Sequence, residues 1–312
     1  MSEVDLNGNE AQGGAETAFA GDPLVAQLEW RRRAVRVSHA YFRNRLGIDV
    51  GYSIYRPRSG DYQQVLVVAP ELGVPRAAYD RFAAHMGFDH VVVTFDAAGI
   101  GDSRLATRRK VITMHDWASD LNYLVTLISD QFGRDVVGVG HGLGGALFGL
   151  CGHRHIGKLV LVAAADPYYR LWPRSQQPLV LGRWAHAYAN ALAGGVLTWR
   201  GARRAPPAPA EVVRTCAQWS FTGSLLRPRS LDAQRENVLH QAPALVVFAD
   251  DDRLLAPRGA CLALADKLAP TETELLALFH WDWAREGIRH FGYFHDVTGA
   301  RLWNRMNRWI CA

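Results

Sequence analysis

Lysine is nearly absent from this chain of 312 residues. Three lysines stand against 32 arginines, so the net charge of +5 is almost wholly an arginine charge. The basic clusters Arg31–Arg33 and Arg203–Arg204 lack the interleaved aromatic residues of a nucleic-acid face, and read as solvated surface. Cysteine is also scarce. Cys151, Cys216, Cys261 and Cys311 make no C-x-x-C pair, which argues against a zinc site and a disulfide framework and fits a reducing, cytoplasmic setting. No apolar run approaches the roughly 18–20 residues of a membrane span, so no membrane is expected as a partner. Residues 1–22 hold five acidic residues and no Lys or Arg, the reverse of a signal peptide, and read as a disordered acidic tail. No internal repeat of useful length is present.

What is present is an alternation of short apolar runs and helical patterns, the mark of a mostly parallel α/β sheet. Strands are expected near Ala34–Phe42 and Asp49–Arg56, the two close enough to pair antiparallel. Val65–Ala69 and Val91–Phe95 are β-branched runs of the kind buried on both faces, with a crossover helix at Tyr79–Met86. Trp117, Leu121, Leu124 and Ile128 recur at helical spacing over Met114–Phe132, behind a capping box of Thr113 and Asp116. Further strands follow at Asp135–Val139, Leu159–Ala164, Ala244–Phe248 and Glu274–Phe279, and further helices at Leu143–Leu150 and Leu302–Ile310. Between Asp166 and Gln241 the alternation stops and tryptophan and tyrosine accumulate, in Tyr168, Tyr169, Trp172, Trp184, Tyr188, Trp199 and Trp219. The expected organisation is a core of 23–165 and 241–312 with an inserted lid at 166–240. Its aromatic side chains favour a small apolar or aromatic ligand.

Gly140-His-Gly-Leu-Gly-Gly145 has the shape of a nucleophile elbow, G-x-S-x-G on a strand-to-helix turn, but the serine position is Gly142. Gly140, Gly144 and Gly145 give the tight turn its room. The N–H of Leu143, at a helix start, is placed to donate to an oxyanion. The same residues also fit the dinucleotide fingerprint G-x-G-x-x-G through Gly140, Gly142 and Gly145, with Asp166 about 20 residues on as a ribose-binding acid. Against that alternative, about 100 residues of sheet-forming chain come first. It also leaves two later features idle. Pro243–Asp252 is a strand ending in the acids Asp250, Asp251 and Asp252, and His290 follows in Arg289-His-Phe-Gly-Tyr-Phe294. The order of elbow, acid and histidine is that of a Ser-Asp-His site, with Asp252 orienting His290 and Asp250 or Asp251 open as substitutes. His153-Arg-His155 has no carboxylate or cysteine to complete a metal set and reads as surface. Neither a metal nor a cofactor is expected.

Four segments carry a resemblance: Leu72-Gly-Val-Pro75, Phe95-Asp-Ala-Ala-Gly-Ile-Gly-Asp-Ser103, Tyr169-Arg-Leu-Trp-Pro173 and His290-Phe-Gly-Tyr-Phe294. From about residue 40 to its end the chain resembles a bacterial α/β-hydrolase family. The resemblance implies the α/β-hydrolase fold, a lid, and a Ser-Asp-His hydrolase of carboxylic esters or related acyl compounds. It places His141, Tyr169 and Trp172 at the substrate pocket. Three positions depart from the pattern. Gly142 replaces the nucleophile, Ala98 stands where arginine is usual, and Glu71 lies in the turn that should supply the second oxyanion-hole N–H. Loss of the serine from such a triad removes about 10⁶ in turnover. Cys151 cannot replace it, lying ~13 Å further along the helix at ~1.5 Å per residue. Two active routes stay open. His290 with Asp252 activates a water in the space the serine vacates, or His290 moves a proton on a bound molecule with Glu71 as a second acid/base. A ligand-binding pseudoenzyme is the alternative.

Overall fold

The computed structural model describes residues 34–103, 111–151, 154–193, 208–226, 242–283 and 287–312. The expected tail at 1–22, Arg31–Arg33, Arg203–Arg204, His153 and Trp199 lie outside the described residues. Eight strands form one sheet: β1 (Val35–Arg43), β2 (Asp49–Pro57), β3 (Val65–Ala69), β4 (Val91–Phe95), β5 (Val136–His141), β6 (Ile156–Val162), β7 (Ala244–Ala249) and β8 (Thr273–Leu278). Their order is β1-β2-β4-β3-β5-β6-β7-β8. β1 and β2 pair antiparallel, as does β2 with β4, and every later pairing is parallel. Parallel strands need crossover helices on both faces, which is why β3, β4, β5 and β7 are buried at every residue and read as unbroken apolar runs.

The crossovers are α1 (Asp80–Met86), α2 (Met114–Phe132), α3 (Leu143–Cys151) and α6 (Arg258–Leu268). In α2, Trp117, Leu121, Leu124 and Ile128 are all buried, and Thr113 and Asp116 make both bonds of the capping box. The chain closes with α8 (Asp296–Cys311), which starts six residues before the expected Leu302 because it springs directly from a short 3-10 turn at Gly292–Phe294. Its stripe of Leu302, Trp303, Met306 and Ile310 is buried. Strand β6 ends at Val162, short of the expected Ala164. Ala163 adopts a left-handed φ of 46° and turns the chain off the sheet above the elbow.

Between β6 and β7 lie α4 (Gln177–Leu192) and α5 (Ala210–Thr222), packed on each other. They bury Val180, Ala187 and Ala191 on one helix and Val212, Val213, Cys216 and Ala217 on the other. A four-residue helix, α7 (His280–Trp283), follows β8. Among the described residues no helix is long and apolar enough to cross a membrane, and no cluster of potential metal ligands occurs.

Candidate active site

The C-terminal ends of β3, β5 and β7 bring four loops to one point. Strand β5 runs into α3 through Gly142, whose φ of 52° is the left-handed conformation that glycine adopts without a Cβ penalty. Around it the packing is close enough that a Cβ on Gly140 would meet the Gly145 backbone at 2.5 Å. The loop after β7 supplies the acids, and the three aspartates are distinguished by their partners. Asp252 Oδ2 accepts from His290 Nδ1 at 2.7 Å. Asp250 pairs with His280, and Asp251 accepts from the backbone N–H groups of Ile288 and Arg289, holding the histidine loop against the strand end.

The far side of His290 is taken by Glu71. Nε2 and Glu71 Oε2 are 2.8 Å apart, and both residues are buried. Glu71 Oε1 accepts from the N–H of Leu143 at 3.3 Å and from the N–H of Leu72. A Cβ built on Gly142 would stand 1.5 Å from Oε2. The carboxylate therefore fills the place of the missing serine side chain with one oxygen and spans the two converging amides with the other. A water has no room in the space that serine would vacate, which removes that form of the water-activation expectation.

This arrangement corrects the expected second amide. Glu71 does not contribute its own N–H, which donates to the Tyr79 hydroxyl at 2.9 Å; the amide facing Leu143 is that of Leu72. His141 is likewise not a pocket residue. It is buried behind His290, donating from Nε2 to the His290 carbonyl at 3.0 Å and accepting from Tyr79 at Nδ1. Burial, then the neighbouring His290 charge, lowers its pKa to about 4, so it is the neutral tautomer these two bonds require. Tyr79 thus ties the Glu71 backbone to the support of the histidine, a link carried by no motif and visible only as an aromatic in an expected helix.

The charges of the trio are coupled. Burial alone would lower the pKa of His290, but the carboxylates of Asp252 and Glu71, each charged and hydrogen-bonded to it, raise it. Burial alone would raise that of Glu71, yet the bond and charge of His290, the charge of His141 and the Leu72 N–H hold it below the ordinary carboxylate value. The resting site is an imidazolium between two carboxylates.

A cavity of about 440 Å³ opens above Glu71, Gly142 and His290. Leu72, Leu143 and Ala146 complete its floor, and Trp172, Val180, Arg183, Trp184, Cys216 and Trp219 form the wall contributed by the segment between β6 and β7. Trp172 lines it. Tyr169 does not; it packs against the cluster of Trp172, Val180 and Ala260. Cys216 in the wall is held as a thiol, because burial drives its pKa up.

The dinucleotide reading fails at this turn on charge. A carboxylate already occupies the helix start where a pyrophosphate would bind, and Asp166 is buried in an ion pair with Lys267 at 2.6 Å. The sequence profile of the alpha/beta hydrolase family matches residues 65–294. The chain belongs to that family. No curated protein matches it. Among solved structures it is similar to a soluble variant of monoglyceride lipase from Saccharomyces cerevisiae, with a TM-score of 0.66 and 14% identity over 88% of this chain and 94% of the lipase. A thermophilic esterase from Thermogutta terrifontis gives 0.57 and 15% over 88% and 98% of the two chains. Alpha/beta hydrolase domain-containing protein 10 from mouse gives 0.54 and 15% over 88% and 98%. At these identities the likeness is one of fold.

Proposed function

We propose that this alpha/beta hydrolase is an enzyme whose Asp252–His290 pair works on the carboxylate of Glu71 in place of a serine hydroxyl. Its substrate is a small apolar or aromatic molecule held in the cavity above. The observation carrying the reading is the position of one side chain, with Glu71 Oε2 in the serine's place facing His290 and Oε1 between the Leu72 and Leu143 amides.

The charge state selects the chemistry. A carboxylate whose pKa is held down is a weak general base, which counts against plain proton abstraction by Glu71. An ionised carboxylate is instead a nucleophile toward saturated carbon that bears a leaving group. Attack by Oε2 forms a Glu71 ester and expels the leaving group as an anion. The ester carbonyl oxygen is then Oε1, already held by two N–H donors, each worth about 10²–10³ in rate when aimed at a developing oxyanion. Alkylation also removes one of the two charges that keep His290 protonated, so its proton passes to solvent. Neutral His290, oriented by Asp252, takes a proton from a water attacking the ester carbon. Collapse returns the Glu71 carboxylate and releases an alcohol. Water activation by the Asp252–His290 pair is thus directed at the Glu71 ester.

The test uses 3-phenylpropyl bromide with wild type and His290→Gln, read by peptide mass spectrometry and alcohol release. The expected result is turnover by wild type and accumulation of a Glu71 ester in His290→Gln. Single turnover in ¹⁸O-water should leave label in the Glu71 carboxylate; alcohol carrying all the label would sink the covalent step. Neither adduct nor alcohol would favour the second reading, a binder without turnover. Its supporting observation is that Glu71 is closed into an ion pair with both oxygens bonded.

A further inference from the structure

Helix α4 lines the cavity with Val180, Arg183, Trp184, His186 and Ala187; His186 bonds Asn190, and the other four fall at the i, i+3, i+4, i+7 spacing of one helical face. Three of the four positions are apolar, as a stripe over an apolar chamber should be. The fourth is a guanidinium, exposed at the cavity's edge.

Arg76, a covered arginine, is neutralised. Arg76 donates to Asp102 at 2.7 Å and is paired with Asp96, and these carboxylates outweigh burial and raise its pKa. Arg183 shows the opposite balance: burial lowers its pKa, opposed only by the more distant charge of Asp252. Asp252 is already committed, with Oδ2 on His290 and Oδ1 accepting from the Ala256 N–H. Among the described residues Arg183 has no hydrogen-bond or ion-pair partner. Nearby, Trp172 lines the same wall with a buried indole N–H that has no acceptor among the described residues. The wall therefore holds a cation with no partner among the described residues, while the floor carries the Glu71 carboxylate beside the His290 imidazolium.

We infer that Arg183 is the recognition residue for an anionic group, and that the cavity takes a small apolar or aromatic carboxylate. Such a ligand would lie with its carboxylate toward α4 and its uncharged end over Glu71. A guanidinium offers a planar pair of donors to a carboxylate, and partial desolvation in an apolar wall strengthens the bond. The field across the cavity permits only that orientation, because a carboxylate pointed at the floor would meet Glu71. This inference rests on the cavity being the substrate site proposed above, but not on the covalent role of Glu71.

The experiment is a binding titration, by calorimetry and by quenching of intrinsic tryptophan fluorescence, with 4-phenylbutyrate and its neutral match 4-phenylbutyramide. Wild type should bind the carboxylate about 10- to 100-fold more tightly, the range of one hydrogen-bonded charge pair. Arg183→Met should bring the carboxylate down to the level of the amide and leave the amide's affinity unchanged. Arg183→Lys should keep an intermediate preference. Equal affinities in wild type, a preference that persists in Arg183→Met, or no saturable binding of either probe would each overturn the inference. A lost preference in Arg183→Met together with no Glu71 adduct would leave anion recognition standing and remove the covalent mechanism. An adduct with no charge preference would do the reverse. Because Arg183 is exposed, unchanged circular dichroism and melting of Arg183→Met serve as the folding control.

Discussion

Putting the serine back should not restore a serine hydrolase. In Gly142→Ser the new Cβ falls 1.5 Å from Glu71 Oε2 and 2.3 Å from its Cδ, so the carboxylate has to leave. Leaving breaks its bonds to His290, Leu143 and Leu72 and strips a buried imidazolium of one of its two carboxylates. Breaking a buried charge pair costs about 3–5 kcal/mol. The left-handed φ of 52° at this position adds roughly 1–2 kcal/mol for a residue with a Cβ. The single variant should therefore melt about 8–28 °C below wild type, at roughly 2–4 °C per kcal/mol for a domain of this size. It should also resist labelling by a fluorophosphonate. Gly142→Ser with Glu71→Ala removes the collision and frees the Leu72 and Leu143 amides while keeping His290 on Asp252. This double variant should label at least about 100-fold faster than Gly142→Ser and hydrolyse 4-nitrophenyl acetate, since one oxyanion donor alone is worth about 10²–10³. If Gly142→Ser alone labels as fast as the double variant, Glu71 does not occupy the serine's place and the reasoning fails.

Other consequences follow from the same network and from one buried acid remote from it. Because its pKa is lowered in the fold, Glu71 contributes stability that is present above its unfolded pKa and lost as pH falls through the folded one; the margin of wild type over Glu71→Gln in urea melts should shrink toward acid. Asp252→Asn should cost several powers of ten in any His290-dependent turnover, with ligand binding retained, because Nδ1 loses its acceptor. Tyr79→Phe should lower stability by about 1–3 kcal/mol in urea melts, leaving the Glu71 N–H and His141 Nδ1 without their common partner. Asp120 has a pKa raised to about 7, by burial first and by Asp116 against the opposing bond from Asn44, so its folded form binds a proton that the unfolded chain does not. The stability of wild type relative to Asp120→Asn should therefore fall as pH rises from about 4 to 7, by on the order of 3 kcal/mol in melts at fixed ionic strength.

The sequence by itself determined the frame. Buried parallel strands need apolar side chains on both faces, so β3 and β4 could be bounded to the residue from their β-branched runs. Helix α2 was equally legible, its stripe and its capping box both being local patterns. The order of Gly142, Asp252 and His290 along the chain was enough to nominate three positions that meet in space, because this topology delivers the ends of β5 and β7 and the histidine loop to one place. Tertiary structure alone decided what the site contains. Which of Asp250, Asp251 and Asp252 faces His290 depends on how the turn after β7 points successive side chains, and no periodicity reports that. The route of Glu71 depends on a contact spanning 219 residues, from the loop after β3 to His290. In sequence it was an acid in the wrong turn, opposed to an oxyanion. In the fold its carboxylate is itself the anion that the two amides and the imidazolium hold, because a glycine at 142 leaves a space of that size and charge preference beside them.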